Sequence, residues 1–121
     1  MKLSLLTVSL ISSISIYAGE CTYSFAAVKN EGAQDITVPL ALKEGRGGFT
    51  YEGFAAADGS DLRIKDSQGN LLAYEIDNWN VNGLSVVWVR VPELTKNTVL
   101  SLSWGDVDAP AATSSAAAAL P

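Results

Sequence analysis

The chain has 121 residues, with 8 Lys and Arg against 13 Asp and Glu, and no histidine. That length builds one domain of ordinary size at most, and a net charge of −5 argues against nucleic acid, which takes a basic patch to neutralise its phosphates. The missing histidine removes Ser-His-Asp and Cys-His nucleophile activation and histidine-ligated zinc, and one cysteine makes neither an internal disulfide nor a thiolate zinc site.

Residues Met1 to Ala18 read as a helical secretory signal peptide. Lys2 is the positive n-region. Leu3 to Tyr17 is uncharged, mostly apolar and too short to span a bilayer. Ala18 is a small residue at a plausible cleavage point. Loss of Lys2 with this segment takes the net charge from −5 to −6. The reading therefore predicts an exported chain, secreted, periplasmic or held in the cell envelope, with no membrane span once processed. Glu20 stands where a lipobox needs a small residue before Cys21, which argues against acylation there. Cys21 reads as a small buried hydrophobe. At the other end, residues 106–121 contain DAPAATSSAAAALP, a disordered linker or tail by composition. The folded domain is then 19–105.

Within it the periodicity is that of strands. A first strand is expected around Thr22 to Lys29. Ile36, Val38, Leu40 and Leu42 alternate with Thr37, Pro39 and Ala41, so one face is buried. Pro39 cannot donate to a ladder, which puts this strand at an edge or a bulge. Leu62 and Ile64, then Leu72, Tyr74 and Ile76, then Val87, Val89 and Val91, then Leu100, Leu102 and Trp104 continue the alternation. Gly45 to Gly48 and Ala55 to Gly59 read as loops. Short strands with turn signals between them predict an all-β fold, a small antiparallel β-sandwich of jelly-roll or immunoglobulin-like type.

Turn chemistry then fixes a register. Asn82-Gly83 suits a two-residue type I′ turn, because both of its central positions need positive φ. Ile76 then opposes Val89, Tyr74 opposes Val91 and Asn78 opposes Val87. On the other face Glu75 opposes Arg90, Asp77 opposes Trp88 and Trp79 opposes Val86. A three-residue loop of Gln68, Gly69 and Asn70 pairs Leu62 with Ile76 and Ile64 with Tyr74, and brings Arg63 to Glu75. A two-residue loop is rejected, because a one-residue slip flips every face. This places Glu75 between Arg63 and Arg90, with Asp77, Trp79 and Trp88 on the same face. The bland account is a solvated cross-strand ion-pair cluster, worth about 0.2–1 kcal/mol per pair. The functional account is a ligand platform, where tryptophan faces stack on sugars and charged groups bond hydroxyls. A third is a docking face for a neighbouring domain.

The stretches Ala57-Asp58-Gly59-Ser60-Asp61-Leu62-Arg63-Ile64, Leu72-Ala73-Tyr74-Glu75-Ile76-Asp77-Asn78-Trp79 and Val87-Trp88-Val89-Arg90-Val91-Pro92 resemble the family called domain of unknown function 2341. Its pattern runs ADGSDLRF, LPYEIE-W and VWVKVP, closing on a strand that ends in Gly, here Ser101 to Gly105. Asp35 to Leu40 resembles its early strand, and Phe49-Thr50-Tyr51 its FDY-type segment. Ile64 replaces the usual aromatic, Ala73 the usual proline, and Arg90 a frequent lysine. The resemblance covers Thr22 to Gly105. It implies exported or envelope proteins of bacteria, often with a concanavalin A-like lectin domain alongside, or in proteins resembling MotA/TolQ/ExbB-type proton channels.

Other sites are sparse. Asp58 and Asp61 are the lesser metal candidates, but no calcium-loop pattern surrounds them, and turn chemistry explains both them and Asp66 to Asn70. Glu75 and Asp77 share a face, yet flanking arginines are wrong for a general acid. No cofactor is expected and the chain is read as not an enzyme. The expected function is a noncatalytic exported module that binds glycans through Trp79, Trp88, Arg63, Glu75, Asp77 and Arg90. The alternative is a structural spacer or protein-interaction domain of a longer protein.

Overall fold

The computed structural model describes residues 18–25 and 32–106. The expected signal segment and tail lie outside the described residues, Ala18 and the first tail residue Asp106 apart. Six strands form: β1 (Gly19–Ser24), β2 (Ala33–Lys43), β3 (Arg63–Lys65), β4 (Tyr74–Asn78), β5 (Leu84–Leu94) and β6 (Val99–Trp104). There is no helix among the described residues. Two antiparallel sheets result, with strand orders β1-β6-β3 and β2-β5-β4.

The alternation read from the sequence explains why both sheets have an apolar side. In β5 every second residue from Ser85 to Val91 is buried. Val38, Leu40 and Leu42 from β2 join Val87, Val89 and Val91 in one core cluster with Leu62, Ile64, Leu100, Leu102 and Trp104. The two sheets thus bury their inner sides against each other. Pro39 lies in β2, at the edge of its sheet, where its missing N–H costs no ladder bond.

The expected pairings change in three places. First, β3 pairs with β6, not β4, through Arg63↔Ser103, Ile64↔Leu102 and Lys65↔Ser101. The turn after β3 does close, with Gly69 N–H donating to Asp66 O (3.0 Å). Gly69 takes φ 84° there, and the Asp66 carboxylate accepts from the Gln68 and Asn70 amides at 3.0 and 2.9 Å. The Lys65↔Leu71 bridge and the Leu72 N–H to Ile64 O bond (2.8 Å) close this turn two residues out of the expected register, and the pairing goes no further. The chain then passes to the other sheet, so Leu62 and Ile64 face Tyr74 across the core rather than beside it.

Second, β4 and β5 form the expected hairpin in a register shifted by two residues: Tyr74↔Val89, Glu75↔Trp88 and Ile76↔Val87. A shift of two preserves the faces. The turn is not type I′. Gly83 N–H donates to Asn80 O (3.1 Å), so Val81 and Asn82 are its central residues, and neither they nor Gly83 takes a positive φ. Side chains complete the turn: Asn82 N–H donates to Asn80 Oδ1 (3.0 Å), and Asn80 N–H donates to Ser85 Oγ (2.8 Å).

Third, the register slips between Ile76 and Asn78, which pairs with Val86. This bulge at Asp77 reverses the inside-outside pattern of the residues after it.

Ser85 is fully buried and also shares a 2.7 Å hydrogen bond with Tyr51 Oη. Ser85→Ala leaves Asn80 N–H without its acceptor and takes one of three partners from Tyr51 Oη, which keeps Leu42 O and Gly83 O, and the expected loss is about 1–2 kcal/mol of unfolding free energy. Urea denaturation measures it.

Candidate interaction face

The bulge decides the fate of the two tryptophans. Asn78 opposes outward-facing Val86, so Trp79 turns inward. Its ring lies 5.0 Å from Phe54, 5.4 Å from Tyr51 and 6.4 Å from Phe49, each edge-on. Phe54 in turn stacks on Trp104 at 5.2 Å. Trp79 is part of an aromatic plug at one end of the fold. Trp88 sits on the central strand β5, facing away from the core between Pro39 and Glu75. The expected platform of two tryptophans is not formed.

Nor is the expected charge cluster. Arg63 belongs to the other sheet, and its Nη1 donates to Ser60 O (2.9 Å) and Leu62 O (2.8 Å). Arg90 ion-pairs with Asp35 at 3.2 Å. Glu75 and Asp77 stay on the outward side of β4, and Glu75 Oε1 is buried with no hydrogen-bond partner among the described residues. Of the six candidates, Trp88, Glu75, Asp77 and Arg90 share one sheet; Trp79 and Arg63 are drawn away by the bulge and the changed strand pairing.

The Asp58-Gly59-Ser60-Asp61 motif builds the plug. Asp58 Oδ1 accepts from Ser60 N–H (3.0 Å), and the hydrogen bonds from Ser60 hold its carboxyl below the ordinary aspartate range. Gly59 takes φ 78°, and a Cβ there would meet Trp79 Cε2 at 2.6 Å. Asp61 is buried. Its Oδ2 accepts from Ala55 N–H and Gly105 N–H, both at 2.8 Å, and its Oδ1 from Ala56 N–H at 3.1 Å. Burial pushes this carboxyl up, but the three amides outweigh burial and hold it below its ordinary value. Asp61 thus ties the loop before β3 to the end of β6. Tyr74 joins β4 to the same region: its buried phenol donates to Leu62 O (2.6 Å), and burial pushes its pKa up.

Asp58 and Asp61 therefore spend carboxylate oxygens on backbone amides. Among the described residues no three His, Cys, Asp or Glu side chains cluster as metal ligands do.

The two outward sheet faces differ. On β1-β6-β3 the rows read Glu20, Ser103, Arg63 and Thr22, Ser101, Lys65. On β2-β5-β4 they read Ala41, Val86, Asn78; then Pro39, Trp88, Glu75; then Thr37, Arg90. The first is the polar surface expected beside water. The second has an apolar centre of Trp88, Pro39, Val86 and Ala41, rimmed by Glu75, Asp77 and the Arg90–Asp35 pair. Pro39, Ala41 and Val86 were not singled out by the sequence reading, although the outward phase of Thr37, Pro39 and Ala41 was visible in it.

A family described as Domain of unknown function (DUF2341) matches residues 58–119. The match takes in the Asp58 to Asp61 motif, β3 to β6 and both tryptophans of interest. No curated protein and no solved structure matches the chain.

Proposed function

The chain belongs to the DUF2341 family, and on that premise we propose that its folded part is a small noncatalytic β-sandwich module of an exported or cell-envelope protein that works by docking. The docking surface is the outward face of β2-β5-β4, and the partner is a neighbouring protein surface. One observation carries this reading: the apolar centre around Trp88 on a face whose counterpart across the sandwich is hydroxyl-rich and charged. Solvated antiparallel sheets present polar residues on the outer side. A tryptophan set among Pro39, Val86 and Ala41 with a charged rim has the composition of an interface core.

Export rests on Lys2 and the apolar stretch after it, and is supported by the first strand beginning at Gly19, directly after the expected cleavage point. The noncatalytic reading is supported by the lack of histidine and by the commitment of Asp58, Asp61 and Asp66 to backbone amides. The glycan reading loses its paired tryptophans, which leaves it the half-buried Trp88 on the outward face.

The test places a photo-crosslinking amino acid at Trp88 and, as control, at Ser101 on the opposite face, in the producing cell. A discrete protein adduct is expected from position 88 and not from 101, and the captured protein, once purified, should bind the wild-type chain but not Trp88→Ala. Equal adducts from both faces, or none, would overturn docking. Binding on a glycan array that disappears in Trp88→Ala would restore the glycan reading in its place.

A further inference from the structure

The sandwich is open along one side, where edge strands β1 and β2 lie across from each other. A cleft of about 300 Å³ runs between them, lined among others by Cys21, Tyr23, Ala41, Leu42, Arg46 and Phe49. Leu42 and Phe49, almost fully buried, close its floor, and the half-buried Cys21, Tyr23 and Ala41 face it. The Tyr23 hydroxyl bridges the gap, accepting a long hydrogen bond from Ala41 N–H (3.4 Å). The loop Glu44–Gly48 borders the mouth. A Cβ on Gly48 would stand 3.4 Å from Cys21 Cβ, so the loop lies close against β1. Gly45, Gly47 and Gly48 all have positive φ, which lets the loop fold tightly over that edge.

Arg46 is the charged group at this mouth. It is exposed and makes no ion pair among the described residues. Lys43 is close by, since Arg46 N–H donates to Lys43 O (3.0 Å). Glu44, the nearest acid in sequence, has Oε1 engaged by Tyr51 N–H (2.9 Å). Arg46 and Lys43 thus outnumber Glu44 at the rim of the cleft, in a chain of net charge −5. Apolar walls favour a hydrocarbon chain, and a guanidinium favours a carboxylate, which it can bond at two oxygens.

We propose that the cleft between β1 and β2 is a binding site for an anionic amphiphile, a long-chain carboxylate, with its chain against the half-buried Tyr23, Cys21 and Ala41 and its head on Arg46. The site lies on the open side of the sandwich and does not involve Trp88, so it stands or falls separately from the docking face.

Cys21 is the only cysteine and lines the cleft, which makes its alkylation by iodoacetamide a direct readout on the full chain. Burial raises the thiol pKa, and the rate of alkylation is followed by mass spectrometry. Dodecanoate below its micelle concentration should slow the reaction. Arg46→Ala should need about tenfold more dodecanoate for the same protection, the loss of one charge-assisted contact. Dodecanol, with the same chain and no charge, should protect wild type and Arg46→Ala alike. No protection by dodecanoate, faster alkylation in its presence, or protection undiminished in Arg46→Ala would overturn the proposal.

Discussion

Asp61→Ala is expected to lower the unfolding free energy by about 4 kcal/mol, the largest effect of any single truncation at this site. Its carboxylate is the acceptor for three backbone amides, those of Ala55, Ala56 and Gly105. Each partly buried donor left without an acceptor costs about 1–3 kcal/mol, and small domains hold only about 5–15 kcal/mol in total. Asp61→Asn keeps one carbonyl oxygen but turns an NH2 group toward amide donors, so most of the loss should remain. The pH dependence has a definite sign. The folded-state pKa of Asp61 is depressed, so the folded state binds the proton less readily than the unfolded state. Its contribution is fully present above the ordinary aspartate value of about 3.9 and is lost as pH falls through the depressed folded value. Asp58 and Asp66 are shifted the same way. Urea midpoints from neutral pH down to the acid limb should show wild type losing stability more steeply than Asp61→Ala. Parallel acid limbs would mean that the three amides are not what Asp61 contributes.

Gly59→Ala is expected to cost about 3–4 kcal/mol. The left-handed φ of 78° costs an L-residue about 1–2 kcal/mol. The added Cβ also lands 2.6–2.8 Å from the Trp79 ring, which Phe49, Tyr51 and Phe54 hold from other sides. Forcing an added carbon into packed surroundings costs about 1–3 kcal/mol more. Gly69→Ala separates the two contributions, because its φ of 84° is similar but no atom lies within 4 Å of its Cβ. It should lose only about 1 kcal/mol. Equal losses at the two glycines would show that Trp79 does not press on Gly59.

The strands themselves were legible because burial on one side writes period two into the chain. The core members Val38, Leu40, Leu42, Val87, Val89, Val91, Leu100 and Leu102 all obey that pattern, as does the edge position of Pro39. Partnership between strands was less legible. Ile64 offers the same apolar face to Leu102 as to Tyr74, so alternation alone cannot choose the sheet β3 joins. Asp66 to Asn70 was read as turn chemistry and does form a turn, yet closing a turn does not commit the strands beyond it to a long hairpin. The Asn82-Gly83 dipeptide misled because Asn80 and Ser85 supply side-chain bonds that satisfy a different turn, and the buried Ser85 is itself held by Tyr51, far along the chain. The bulge at Asp77 carries no local signal, and it alone moves Trp79 from the outer face to the plug. The motif from Asp58 to Asp61 was recognised as turn chemistry. Its local pattern could not convey that Asp61 reaches Gly105, at the far end of β6.

The central claim is that the two tryptophans of β4–β5 divide the work: Trp79 holds the fold together and Trp88 is free to meet a partner. Parallel urea denaturation of Trp79→Ala and Trp88→Ala tests it most directly. Truncating a tryptophan wedged among three aromatic rings should remove about 2–3 kcal/mol, somewhat less than a fully buried one would. Truncating one on an outward sheet face should change stability by less than about 1 kcal/mol. A loss at Trp88 equal to or greater than that at Trp79 would contradict the account, because it would make Trp88 the structural residue and leave the proposed face without its centre.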